Sequence, residues 1–251
     1  MRFVSGRLFL LFCFSILLLT GCNKDVQGNL PSGEVALTFD DFNVDNWYAN
    51  IHVLDSLNIK ATFYVCRYHE LTSEQKRKLH EIASHGHEIA YHSTNHPDMV
   101  KRLKSKGMAE IINEEILKDL RLMRADGYSI SHFAYPYGSH NRELDCTMKR
   151  YFKTVRKVCN KNNWNKSLVK QSGERQILYG AGIDHGSKIS NQGIIDLLDN
   201  AQSNHDCVVL NAHEMNNPRY IFSVSTERLV RIAKEAKQRN LEFITIDQVV
   251  E

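Results

Sequence analysis

Two imidazoles four residues apart, His92 and His96, sit just past an apolar run, where both can reach one metal ion. Neutral imidazole nitrogens and a carboxylate oxygen are suitable zinc ligands, and a zinc ion that does chemistry keeps three protein ligands with a fourth position open to water. The acidic pair Asp40-Asp41 follows a second apolar run upstream, and His213 follows a third far downstream. His92, His96 and one of the two aspartates complete a three-ligand set. The other carboxylate is then free to take a proton from water. Each piece alone has a commoner explanation: surface histidines, a turn-forming acid pair, a satisfied polar histidine. Twelve histidines in 251 residues would give roughly half of one such pair by chance. Co-occurrence at the ends of three apolar runs is what points to a site.

The elements that must position these residues can be read from periodicity. Val35 to Phe39 is nearly all apolar and suits a strand buried on both faces, with Asp40 and Asp41 beginning the turn after it. Ile51, Leu54 and Leu57 have helical spacing, and Ala61 to Val65 is the next strand. Thr72-Ser73-Glu74-Gln75 fits a capping box ahead of a helix that stops at Gly86. His87 to Tyr91 is then the strand that delivers His92. A long helix is expected from Met108 to Asp126, with Ile112, Ile116, Leu120 and Met123 on one stripe, followed by a strand from Ile130 to Tyr135. Glu143 to Tyr151 reads as helix and Phe152 to Val158 as strand. After Gln176 to Tyr179, the run Gly180 to Gly186 reads as a loop by its glycines. Helix from Ile194 to Ala201, strand from Cys207 to Leu210, a helix carrying Leu229, Ile232 and Ala236, and a strand from Leu241 to Ile244 complete the chain. Strands alternating with helices throughout imply a parallel sheet, and seven or eight strands favour a closed (β/α) barrel, whose strand ends gather chemistry on one face.

The N-terminus has a different character. Arg2 and Arg7 precede an apolar stretch from Leu8 to Leu19, too short for a membrane span and suited to a signal-peptide core. It ends in Leu19-Thr20-Gly21-Cys22, which resembles the lipobox of bacterial lipoproteins, in which the cysteine is lipid-modified. The expected organisation is a leader over 1–21, a polar tether over 22–33 and one domain over 34–251, held at the cell envelope by a lipid on Cys22. Without the leader the formal charge falls from +3 to +1, so no charge argument favours nucleic acid as a partner. Cys66, Cys146, Cys159 and Cys207 show no C-x-x-C spacing and are expected to be buried free thiols.

Four segments together resemble the motifs of NodB-type polysaccharide deacetylases, carbohydrate esterase family 4. They are Thr38-Phe39-Asp40-Asp41, His92-Ser93-Thr94-Asn95-His96, Tyr135-Pro136-Tyr137-Gly138 and Val209-Leu210-Asn211-Ala212-His213, and Leu57 to Val65 matches the family's second strand with its lead-in. The resemblance spans roughly residues 34 to 213 and implies a distorted (β/α) barrel that removes N-acetyl groups from a sugar polymer with a divalent metal, zinc above others. It implies Asp41, His92 and His96 as metal ligands, Asp40 as general base and His213 as general acid. It further implies Tyr137 as an oxyanion donor through its backbone amide, Pro136 and Leu210 as groove residues, and Asp184 as the acid that orients His213. Two positions depart from the pattern. Ala134 stands where the family commonly has an arginine that contacts the catalytic aspartate, and Asp184-His185-Gly186 lacks a tryptophan. These bear on the setting of Asp40 and the shape of the groove. The same residues are compatible with a non-catalytic saccharide-binding protein that retains the metal pocket, or with an O-acetyl esterase.

Overall fold

The computed structural model describes residues 32–160, 163–170 and 175–250, so the leader, Cys22 and nearly all of the tether lie outside the described residues. Strand β1 (Gly33–Asp41), helix α1 (Val44–Ser56), β2 (Ala61–Val65), α2 (Ser73–Ser84) and β3 (Glu88–Tyr91) open the alternation. It continues through α3 (Met99–Glu110), a π-helical turn (Ile111–Leu117), α4 (Lys118–Ala125), β4 (His132–Ala134), α5 (Arg142–Met148) and β5 (Thr154–Val158). There follow β6 (Leu168–Val169), β7 (Ile177–Gly182), α6 (Asn191–Asn204), β8 (Cys207–Ala212), the short strands β9 (Glu214–Met215) and β10 (Ser223–Val224), α7 (Thr226–Gln238), β11 (Leu241–Phe243) and α8 (Ile246–Val249). Strands β1, β2, β3, β4, β5, β7 and β8 pair in parallel in that order, and β8 pairs back to β1, which closes a seven-stranded barrel.

Two-residue periodicity explains why the sheet closes with helices outside. On β1, Val35, Leu37 and Phe39 join the large core under the helices, where Phe39 stacks on Phe63 at 5.1 Å, while Ala36 belongs to a second cluster inside the barrel. That inner cluster is made of mostly small residues, among them Ala90, Ala134 and Val209, together with Tyr64 and Leu178. Its floor is plugged by Ile246 and Val249 of α8, which is fixed by Ile246 N–H donating to Thr62 Oγ1 at 2.9 Å and Asp247 N–H donating to Glu88 Oε2 at 3.1 Å. The alternation places Thr38 and Asp40 on the inner face as well.

Four expectations need correction. Gly180 and Gly182 lie in β7, not in a loop: a Cβ at Gly180 would come within 2.7 Å of Asn211 Oδ1 and 3.2 Å of Arg156 Nη1, so Gly180 clears space inside the barrel, and a Cβ at Gly182 would come within 2.8 Å of Ser187 Oγ. The expected long helix begins after the break at Gly107 (φ 80°), as anticipated, but a further helix from Met99, capped by the Asp98 side chain, precedes it and the long helix passes through a π turn. The extra residue of that turn rotates the buried face, so Ile111 is buried where Ile112 was expected, and Glu115 and Asp119 turn inward. All four described cysteines are free, but Cys146 is exposed on α5. Asp40 and Asp41 end β1 rather than begin the turn.

Candidate functional site

At the C-terminal ends of the strands a cleft of about 570 Å³ is lined by Asp40, Asp41, His92, His96, Asp184 and His213, among others. The chain is locally strained here. Of nine non-glycine described residues with positive φ, five lie on the segments that wall the cleft: Asp41 (87°), Arg67 (51°), Ser93 (71°), His96 (56°) and Tyr137 (57°). Such backbone costs about 1–3 kcal/mol per residue and persists where the surroundings over-determine it.

Asp41, His92 and His96 offer one ligand atom each within 4.8 Å of one another, the one such group of three among the described residues. His96 Nε2 is 3.1 Å from Asp41 Oδ1 and 3.2 Å from His92 Nε2, and His92 Nε2 is 3.6 Å from Asp41 Oδ1. Edges of that length match a tetrahedral zinc site, where ligand atoms lie about 3.3 Å apart. Protonation agrees with this fit. His92 Nδ1 donates to the Ala134 carbonyl at 2.8 Å, which leaves Nε2 with its lone pair facing the other two ligands. Burial lowers the His92 pKa to about 4, so the ring is neutral. Burial raises the Asp41 carboxyl, but the His96 hydrogen bond and the neighbouring imidazoles outweigh it and hold the pKa at about 2. A neutral imidazole at His92 and a carboxylate at Asp41 are forms a metal needs.

The loop from His92 to His96 is gripped from behind. Glu115, only 1% exposed, accepts from Asn95 N–H at 3.0 Å through Oε2 and from Asn95 Nδ2 at 3.1 Å through Oε1. Its backbone carbonyl accepts from Thr94 N–H and from the Tyr91 hydroxyl. The π turn is what brings Glu115 to this position.

Asp40 is not left without an arginine. Arg156 of β5, fully buried, directs Nη2 to both carboxylate oxygens of Asp40 at 2.5 and 2.6 Å, and its guanidinium lies 5.0 Å over the Tyr64 ring. Arg156 is the register partner of Ala134 on the adjacent strand, so the cation comes from the next strand at the same level of the barrel. The small side chain of Ala134 and the absent one of Gly180 leave it the space. Sequence reasoning missed Arg156. The available signal was its parity: Thr154 and Arg156 share one face of β5, and Val155 on the other face belongs to the outer core. A charge on the inner parity of a barrel strand needs a partner.

His213 and Asp184 meet as expected. His213 Nδ1 is 2.7 Å from Asp184 Oδ2, and His213 N–H donates to Asp184 Oδ1 at 3.2 Å. Burial would lower the imidazole pKa, but the Asp184 hydrogen bond and the charges of Asp40, Asp184 and Asp41 raise it to about 9. Tyr137, 72% exposed, packs on His96 with ring centroids 4.6 Å apart. Pro136 and Leu210 do not line the cleft. Leu210 is on the outer parity of β8, packed in the main core, and offers only its carbonyl to Thr38 Oγ1 at 3.0 Å; Pro136 is buried in the turn after β4.

Comparison with known proteins places these features in a wider group. A family model described as polysaccharide deacetylase matches residues 27–154. A peptidoglycan-N-acetylglucosamine deacetylase of Bacillus cereus is 35% identical over 116 residues, 45% of this chain and 39% of that protein, so the match spans about two fifths of the relative's length. Among solved structures, the peptidoglycan deacetylase PdaC of Bacillus subtilis superimposes with a TM-score of 0.53 at 20% identity, covering 86% of this chain and 89% of that one. The Xyl-CE4 domain of a multidomain xylanase from the hindgut metagenome of Trinervitermes trinervoides gives 0.56 at 17%, with the same coverages. At these identities the structural likeness is one of fold.

Proposed function

We propose, from the premise that this chain belongs to the polysaccharide deacetylase family, that it hydrolyses N-acetyl groups on an envelope or extracellular polysaccharide, yielding acetate and a free amino sugar. The observation that carries this reading is the arrangement of the cleft: a three-atom donor set from Asp41, His92 and His96 stands beside both a carboxylate held by arginine and a histidine held protonated by aspartate. Asp41, His92 and His96 would hold a divalent metal, zinc by the nitrogen-rich donor set. When bound, that ion supplies a Lewis acid for the acetyl carbonyl and makes water easier to deprotonate.

The remaining chemistry belongs to the chain. Asp40 accepts the proton of the attacking water at a carboxylate oxygen, and Arg156 fixes that carboxylate in place. The water oxygen bonds to the acetyl carbon, and the carbon–nitrogen bond then breaks. An amine leaves poorly as an anion, so His213 donates a proton from Nε2 to the departing nitrogen while Asp184 holds Nδ1–H. By resemblance to the family, the Tyr137 backbone amide donates to the oxyanion.

The test is release of acetate from a panel of acetylated oligosaccharides, with and without added zinc, with new free amines counted in parallel. Equal acetate and amine, dependent on metal, is the expected result. Acetate without amine would mean O-ester hydrolysis, and no acetate from any member would mean a binding protein; either would overturn the reading.

Leu19-Thr20-Gly21-Cys22 supports a lipid anchor on Cys22 and a place in the bacterial envelope. Cys22→Ala should move the protein from the membrane to the soluble fraction, and unchanged fractionation would contradict the anchor.

A further inference from the structure

The cleft holds one cationic side chain that hydrolysis does not use. Of the residues that line it, Arg67 alone is a lysine or arginine. Its backbone is tied to both ligand-bearing segments: Arg67 N–H donates to the Thr94 carbonyl at 3.0 Å, and Cys66 N–H donates to the Asp41 carbonyl at 2.9 Å. The half-buried side chain lies with its guanidinium carbon 5.1 Å over the Phe42 ring, an arrangement that keeps the group at the cleft rather than extended into water.

What Arg67 lacks is an anion. No carboxylate among the described residues pairs with it, whereas the carboxylates of the cleft are committed elsewhere: Asp40 to Arg156, Asp41 to His92 and His96, Asp184 to His213. A guanidinium presents five donors in a plane that matches a carboxylate's two oxygens. Contact with Phe42 uses none of these N–H donors.

We propose that Arg67 reads a carboxylate carried by the polymer beside the N-acetylated sugar under attack, which makes this a protein for acidic glycans. This rests on the deacetylase reading for what happens next, though not for the binding itself. The carboxylate would come from a uronic acid or from the lactyl ether of a muramyl residue, and both present the same planar anion.

The test measures binding to the zinc-loaded protein by calorimetry. The ligands are a tetrasaccharide alternating N-acetylglucosamine and glucuronic acid, a peptide-free tetrasaccharide alternating N-acetylglucosamine and N-acetylmuramic acid, and each of these with its carboxylates reduced to alcohols. Wild type should bind at least one acid form about fivefold tighter than its reduced form, as for a partly exposed ion pair, and the preference should shrink with added salt. Which acid form is preferred identifies the carrier of the carboxylate. Arg67→Met should bind acid and reduced forms alike, and Arg67→Lys should keep part of the preference. A wild type indifferent to the carboxylate on both glycans would overturn the proposal whether or not the variants fold, as would an unchanged preference in folded Arg67→Met. Acetate release is followed on the same ligands. Arg67-dependent binding without acetate would sink the hydrolytic reading and leave the carboxylate site standing.

Discussion

Arg156 shows how a side chain distant in sequence can fill a position that a motif leaves vacant. Asp40 and Arg156 are 116 residues apart and share a buried ion pair. Neither tolerates the loss of the other, because removing one member of a buried pair strands a charge at a cost of about 3–5 kcal/mol. Arg156→Met should therefore lower thermal stability by an amount of that order. It should also lower kcat/KM, since the Asp40 carboxylate loses the guanidinium that fixes its position. Zinc content should stay as in wild type, because Arg156 touches no proposed ligand; an unchanged kcat/KM in folded Arg156→Met would show that the pair is structural only. At the other wall, the Asp184 hydrogen bond together with the charges of Asp40, Asp184 and Asp41 outweighs burial and raises the His213 pKa to about 9. The acid form of His213 is present below that value and lost above it. Asp184→Asn should thus shift the alkaline limb to lower pH by roughly one unit, with the acid limb unmoved. Residue types and spacing pointed to Asp40, Asp41, His92, His96 and His213, and the family resemblance added Asp184. They did not disclose Arg156, whose partner is set by strand register, nor that Leu210 would face the outer core.

At the scale of elements, the loop carrying the proposed metal ligands depends on a helix that departs from α geometry. The π turn over Ile111–Leu117 presents Glu115 to Asn95, and two carboxylate hydrogen bonds plus two to its carbonyl hold the segment that carries His92 and His96. Partners that orient ligands in this way typically change metal affinity 10–100-fold when removed. Glu115→Ala should weaken zinc binding by at least about tenfold in a chelator competition, whereas Glu115→Gln, which can still accept from Asn95 N–H, should lose less. Equal zinc affinity in all three proteins would mean that the loop keeps its shape unaided. The strands were legible because their apolar runs have the length and boundaries of buried parallel strands, and the Thr72 capping box forms as its residues suggest. The π turn was not, since one inserted residue leaves composition unchanged while rotating the buried face. The β7 glycines misled for a related reason: Gly180 serves the volume of Arg156 and Asn211, and Gly182 that of Ser187, and not a turn.

At the scale of the molecule, closure of the barrel is what turns separate motifs into one site. Parallel pairing of β8 with β1 brings Asn211 into register with Thr38, so His213 approaches the acidic pair although 172 residues separate it from Asp41. The alternation of strands and helices made that architecture legible, while register, which decides which side chains share a level, required the folded chain. The central claim is that the closed barrel assigns metal binding to Asp41 and proton transfer to Asp40, two adjacent residues pointing to different partners. The most direct measurement is zinc content by elemental analysis together with acetate release in Asp40→Asn and Asp41→Ala. Asp40→Asn should keep near-stoichiometric zinc and lose turnover, and Asp41→Ala should lose both. Equal loss of zinc in the two variants, or turnover retained by Asp40→Asn, would contradict the division.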